Sequence, residues 1–133
     1  MRTTIRQEVV NFVNADFVSA FPAVPIHYDN QPFETNSPQD LFVTLEIRPY
    51  AGFQISMSAT PKTRIKGFIY VTCYSKTGSG TVPSLQILDW METKLGYKNL
   101  GITQIEAPSP VEGEILKGWH TEGVKFAFYA DKP

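Results

Sequence analysis

The sequence predicts an α+β fold: two α-helices packed on one mostly antiparallel or mixed β-sheet of about five strands, in the order αβββαββ. Three observations carry this. Apolar residues recur at helical spacing over 4–20 and again over 82–95. They alternate with polar ones over 41–50, 64–75 and 117–130. Proline and glycine fall at the junctions between these segments. A chain of 133 residues has room for one domain and one core, so residues 1–133 are expected to fold together.

The first helix rests on Ile5, Val9, Phe12, Val13 and Phe17, which share one stripe. Thr4 and Gln7 have the spacing of a capping box, and Phe21-Pro22 with Pro25 ends the helix. A short strand is expected at 25–28, then a polar loop through Pro38. Over 41–50 (LFVTLEIRPY), Leu41, Val43, Leu45 and Ile47 point one way, and Thr44, Glu46 and Arg48 the other. Residues 51–62 hold small and polar residues around Phe53, Ile55 and Met57, and read as a long hairpin arm or a mobile loop.

Residues 64–75 form the strongest strand. Ile65, Ile69, Val71 and Cys73 share one face, and Lys66, Phe68, Tyr70, Thr72 and Tyr74 the other. Bulk on both faces marks a strand that is central or covered at an interface. After the turn KTGSGT, the second helix runs over 82–95. Pro83 suits its first turn, Leu85, Leu88, Met91 and Leu95 make its buried stripe, and Gly96 stops it. Strands at about 99–106 and 117–130 complete the sheet, with Val124, Phe126 and Phe128 alternating with Lys125, Ala127 and Tyr129.

Composition narrows the function. Hydrophobic residues make up 42% and charged ones 19%, a globular balance. The net charge of −1 does not favour a specific nucleic-acid partner. No stretch reads as a signal peptide or a membrane span. With Cys73 alone, neither an intramolecular disulfide nor a cysteine metal cluster is expected.

Candidate chemistry is weak throughout. PIHYDNQPF, residues 25–33, sets His27, Tyr28, Asp29 and Asn30 side by side. Neighbours on a strand point to opposite faces, so His27 and Tyr28 do not converge on one substrate. Asp29-Asn30 before Pro32 reads as a turn. His120 lies beside Trp119 near the start of the last strand, with no metal-ligand spacing. In KTGSGT the lysine precedes the glycines, unlike a P-loop. Cys73 reads as a buried, inert thiol. Glu106, Glu112 and Glu114 flank APSPVEGE, which reads as a solvated loop. The expectation is therefore no enzyme, no cofactor and no metal. What remains is a surplus of aromatic surface: Phe68, Tyr70, Tyr74, Trp90, Trp119 and Tyr129. Aromatics on the second face of a sheet usually meet another subunit.

The order and spacing of these pieces resemble the bacteriophage tail terminator family, which includes minor tail proteins of long flexible tails and prophage relatives of unknown function. The matching pieces are the first helix ending near Phe21, VPIHYDNQPF at 24–33, LFVTLEIRPY at 41–50, TRIKGFIYVTCYSKTGSGT at 63–81, VPSLQILDWMETKL at 82–95 and GWHTEGVKFAFY at 118–129. Shared features are an aromatic after a polar turn, a glycine in the third strand, a Gly-rich turn before the second helix, and a Trp opening the last strand. No single diagnostic motif is among them.

The resemblance implies a structural virion protein, assembled in the bacterial host cytoplasm. Such a protein forms a ring, usually a homo-hexamer, on the completed tail tube. The ring ends tube polymerisation and presents the surface for head joining. Its partners would be itself, the tail tube protein and a head-completion or neck protein, with DNA passing through without specific binding. Phe53, Ile55, Met57, Phe68, Tyr70, Tyr74, Trp119 and Tyr129 are the expected interface residues. A neck or head-completion protein would share the layout. A small-ligand binding module would need an apolar pocket with convergent polar groups. An enzyme would need His27 or His120 to be essential.

Overall fold

A computed structural model describes residues 2–22, 24–28, 41–55, 57, 62–76, 82–116 and 118–132. The elements are α1 (Arg2–Ala20), β1 (Ile26–Tyr28), β2 (Leu41–Gln54), β3 (Thr63–Lys76), α2 (Val82–Leu95), β4 (Asn99–Leu100), β5 (Thr103–Leu116) and β6 (Trp119–Lys132). Six strands make one mixed sheet in the order β1-β2-β3-β6-β5-β4. β1 runs parallel to β2 and every other pairing is antiparallel. The class is the α+β expected, with one strand more.

Helix α1 buries Ile5, Val9, Val13 and Phe17, one residue every four, with Phe12 partly buried beside them. The helix starts at Arg2, ahead of the expected cap. Thr4 therefore lies inside the first turn and does not act as an N-cap, because neither Arg2 nor Thr3 breaks a helical ladder. Helix α2 buries Ser84, Ile87, Leu88, Met91 and Leu95, while Leu85 is 47% exposed. The expected stripe is thus shifted: Ile87, three residues after an inward Ser84 and four before Met91, takes the core place assigned to Leu85.

Both helices lie on one face of the sheet. Their apolar stripes form a single core with Val43 and Leu45 of β2, Ile69, Val71 and Cys73 of β3, Ile105 of β5, and Val124, Phe126, Phe128 and Ala130 of β6. Each fully buried Val, Leu, Ile, Phe or Met among them contributes about 1.5–3 kcal/mol. Trp90 meets Phe17 and Phe21 edge-on at 5.7 and 5.8 Å. It therefore belongs between the helices, not to surplus sheet surface. Lys94 joins the helices by reaching Asp16 and lying 4.1 Å over the Phe12 ring.

The second helix ends differently from expectation. The left-handed residue is Tyr97, at φ 58°. Gly96 is needed for space instead: a Cβ there would lie 2.7 Å from the Glu92 carbonyl oxygen. A two-residue turn then joins β4 to β5, with Leu100 opposite Thr103 and Gly101 at φ +67°. The carboxylate of Glu8 accepts the Ile102 N–H at 3.0 and 3.1 Å, tying α1 to this turn.

Residues 107–114, expected as a solvated loop, belong to β5. β4 pairs only with Thr103 and Gln104, so the rest of β5 lies at the rim of the sheet. Proline is tolerated on an edge strand, where a missing N–H breaks no ladder, and Pro108 and Pro110 sit there. Two register shifts, at Ile105/Pro108 and Val111/Glu114, take up the irregularity. The Thr121 hydroxyl bridges the second shift, donating to the Glu114 carbonyl and accepting its N–H.

Candidate interaction surface

Strand alternation sends every second side chain of β2, β3 and β6 away from the helices. Among the described residues no helix belongs to that open face. It carries three groups of side chains, ordered along the strands.

At one end Phe42 stacks on Tyr74 at 4.6 Å and meets Trp119 edge-on at 5.0 Å. Phe42 and Trp119 are 2% and 8% exposed, yet neither belongs to the helix-side core. This is a second, small apolar cluster. Trp119, expected as outward aromatic surface, is buried in it, because Phe42 closes over it from the other side of β3. Burial also raises the pKa of the Tyr74 hydroxyl, against a lowering hydrogen bond to Thr44.

In the middle, Tyr50 stacks on Phe68 at 5.3 Å and Phe68 meets Tyr70 at 6.0 Å. The register of β2 slips between Pro49 and Ala51, leaving Tyr50 unopposed and turned toward Phe68. The Lys125 ammonium lies 4.9 Å over the Phe68 ring and the Arg48 guanidinium 5.5 Å over Tyr70. Arg48 also donates to Glu46 at 2.8 Å. At the far end Arg64 lies 4.3 Å over Tyr129 and donates a two-pronged hydrogen bond to Asp131 at 2.7 and 2.9 Å. That bond holds the Asp131 carboxyl below its usual range and raises the Arg64 pKa, which the Glu106 charge also favours. In each such contact the cation is drawn to the negative face of the ring.

At this end β2 and β3 run alongside β6 as far as Gln54, Thr63 and Lys132, and the hairpin continues past the sheet at Ile55 and Lys62. The Ile55 N–H donates to the Lys62 carbonyl at 2.9 Å, so pairing persists past the strand ends. Phe53, Ile55 and Met57 are 43%, 37% and 96% exposed. Residues 51–54 and 62 are thus hairpin, the first of the two expected readings; residues 56 and 58–61 lie outside the described set.

The expected interface residues therefore divide into three. Phe68, Tyr70, Tyr74 and Tyr129 are half-buried on the open face, Trp119 is buried beneath it, and Phe53, opposite Arg64 at the end of that face, is exposed with Ile55 and Met57 of the hairpin beyond it. Sequence reasoning missed Phe42, Tyr50 and the cations that cap the rings. The signal for Phe42 was present: it shares the phase of Thr44, Glu46 and Arg48 on β2.

Among the described residues no other place gathers reactive groups. His27 and Tyr28 do part: His27 meets Phe42 edge-on at 5.9 Å, while the Tyr28 hydroxyl donates to Asn14 at 3.1 Å under α1. Burial pushes the Tyr28 pKa up to about 12, with Arg6 pulling the other way. His120 lies 2.9 Å from Glu122. Cys73 is fully buried, which pushes its thiol pKa up to about 12, and Glu122 adds to the shift. Asp29, Asn30 and the glycines of KTGSGT lie outside the described residues. Among the described residues no cluster of His, Cys, Asp and Glu has the geometry to hold a metal ion, and no helix is long and apolar enough to cross a membrane. An open cleft of about 400 Å³ lies where Arg2 meets Pro49, Tyr50, Gly52, Thr63 and Ile65.

No protein-family model matches the chain, and no curated protein does. Among solved structures, a protein known by an identifier alone is similar with a TM-score of 0.74 at 15% identity, covering 98% of this chain and 95% of that one. At that identity the likeness carries the fold: a helix-backed α+β sheet of this build occurs in a second protein over nearly its whole length.

Proposed function

We propose that this chain is a structural subunit of the phage tail terminator kind. Copies close into a ring, sixfold by resemblance, on the last ring of a completed tail tube. The ring ends tube growth and offers the surface to which the head joins. The protein needs no cofactor and catalyses nothing, and its place is the virion tail.

The observation that supports this reading is the open sheet face. Two helices cover one side of the sheet, and the other presents aromatic rings capped by cations. A face of this kind suits an interface whose core is aromatic and whose rim is charged. The hairpin arm supplies a second contact, with no charged residue between Ala51 and Pro61 and an almost fully exposed Met57. A ring of identical subunits needs two different complementary patches on each copy.

Negative-stain electron microscopy of the protein with its cognate tail-tube protein tests the reading. Rings, or tubes capped at fixed length, are the expected result. A chain that never engages the tube at any concentration, with or without divalent cations, refutes it and leaves the neck or head-completion protein of the same layout as the successor.

A further inference from the structure

We infer that a second copy of this chain covers the open face: the acidic strand β5 of one copy, bearing Glu106, Glu112 and Glu114, docks on the basic aromatic strip of the next, at Lys66 and Lys125. The inference deepens the ring reading by naming the charged partners in its subunit contact, and it takes only the number of copies from that reading.

The argument begins with where charge is left over. Among the described residues, ion pairs join Arg48 to Glu46, Arg64 to Asp131 and Lys94 to Asp16, and His120 lies against Glu122. Glu106, Glu112 and Glu114 are exposed on β5 and belong to none of these pairs, although the Glu106 charge reaches Arg64. Lys66 and Lys125 on the open face belong to none either. Within one copy these groups stay apart: Lys125 lies opposite Ser109, three residues along β5 from both Glu106 and Glu112, roughly 10 Å at the rise of an extended strand. A second copy brings each set its counter-charges.

The edge of β5 decides how that copy meets it. Pro108 and Pro110 offer no N–H, and the register slips on either side of them. A continuous backbone ladder between copies is therefore barred. Contact falls to side chains, which on β5 include the exposed carboxylates of Glu106, Glu112 and Glu114 and the 70% exposed Ile115. The net charge of −1 leaves little bulk repulsion to oppose association.

A basic, aromatic sheet face also has the chemistry to stack single-stranded nucleic acid. Here the rings of Phe68, Tyr70 and Tyr129 already lie against the protein's own cations, and an acidic strand borders them. A second copy fits both features; a polyanion fits neither.

The test is a charge swap read by sedimentation velocity. Wild type is expected to self-associate, and more weakly as salt rises from about 0.05 to 0.5 M, since screening acts on exposed pairs. Variant E106K/E112K/E114K and variant K66E/K125E should each lose association at least ~10-fold, about 1.4 kcal/mol. Mixed in equal amounts, they should associate again as an alternating assembly. Circular dichroism melts establish that each variant folds. If either does not, E112Q/E114Q and K125Q with the salt titration of wild type replace them. A wild-type monomer at all concentrations and low salt overturns the inference. So does association that ignores both salt and swap, or retention of a single-stranded oligonucleotide that K66E/K125E abolishes. Failure here is distinguishable from failure of the ring reading: paired copies that leave tubes uncapped keep the interface, and unpaired variants that still cap tubes remove it.

Discussion

Gly67 of β3 stands where three parts of the protein close on one another. A Cβ built there lies 2.5 Å from the Arg48 carbonyl oxygen, 2.7 Å from Pro49 Cα and 2.8 Å from Phe128 Cε1. All three are well inside the roughly 3.5–4.0 Å at which non-bonded carbon contacts are attractive. Two are backbone atoms of β2, which no rotamer change moves, and Phe128 is fixed in the core. Gly67→Ala must therefore shift β2 away from β3 beside the Pro49/Ala51 slip that aims Tyr50 at Phe68. Overpacking of this kind costs about 1–3 kcal/mol, offset by about 0.4–1 kcal/mol from a less flexible unfolded chain. With three clashes the upper part of the range applies, for a net loss of about 2 kcal/mol. An unfolding entropy of about 2.1 cal/mol/K per residue amounts to roughly 0.28 kcal/mol/K for this length. The melting temperature should then fall by about 7 °C, followed by circular dichroism. Gly52→Ala is the control: its Cβ meets nothing closer than 3.9 Å, so its melting point should hold or rise slightly. A Gly67→Ala protein that melts within about 2 °C of wild type refutes the argument, because β2 would then have been free to give way.

Four further outcomes follow from the same geometry. Glu8→Ala strands the Ile102 N–H and should cost about 1–2 kcal/mol in a urea titration, with hydrogen exchange quickened at the β4–β5 turn. Phe42→Ala removes the ring that joins Tyr74 to Trp119 and should cost about 3 kcal/mol, with tryptophan emission shifted to the red; unchanged emission would show that Trp119 does not rely on Phe42 for its burial. Tyr97→Gly relieves a left-handed residue whose side chain is 76% exposed, so stability should stay level or rise by up to ~1 kcal/mol, the reverse of what deleting an aromatic usually does. Cys73 should not react with a thiol reagent at pH 8 in the folded protein and should react fully in denaturant, since burial raises its pKa from 9.0 to about 12. The sign is that of an acid kept neutral by the fold. Its contribution to stability is present below pH 9.0 and is lost as pH rises toward 12.

Whatever depends on local periodicity was legible in the residues alone. A spacing of four placed Ile5, Val9, Val13 and Phe17 on one side of α1. Alternation sorted Ile69, Val71 and Cys73 from Phe68, Tyr70 and Tyr74, and put His27 and Tyr28 on opposite faces. These follow from helix and strand geometry, which acts over a few residues whatever the rest of the chain does. Whatever depends on a neighbour distant in sequence came from the packing of the elements. The prolines of APSPVEGE read as a loop, and they form a strand because β6 supplies a ladder on one side and the other side is an edge. Trp119 reads as surface, and it is buried because Phe42, seventy-seven residues earlier, reaches it across Tyr74. Trp90 goes to the helices because α1 brings Phe17 and Phe21 to it. The cations over Phe68, Tyr70 and Tyr129 come from β6, β2 and β3 respectively, so the face they form exists only once those strands are side by side. Periodicity tells a side chain which way to point; the strand and helix partners decide what it meets there.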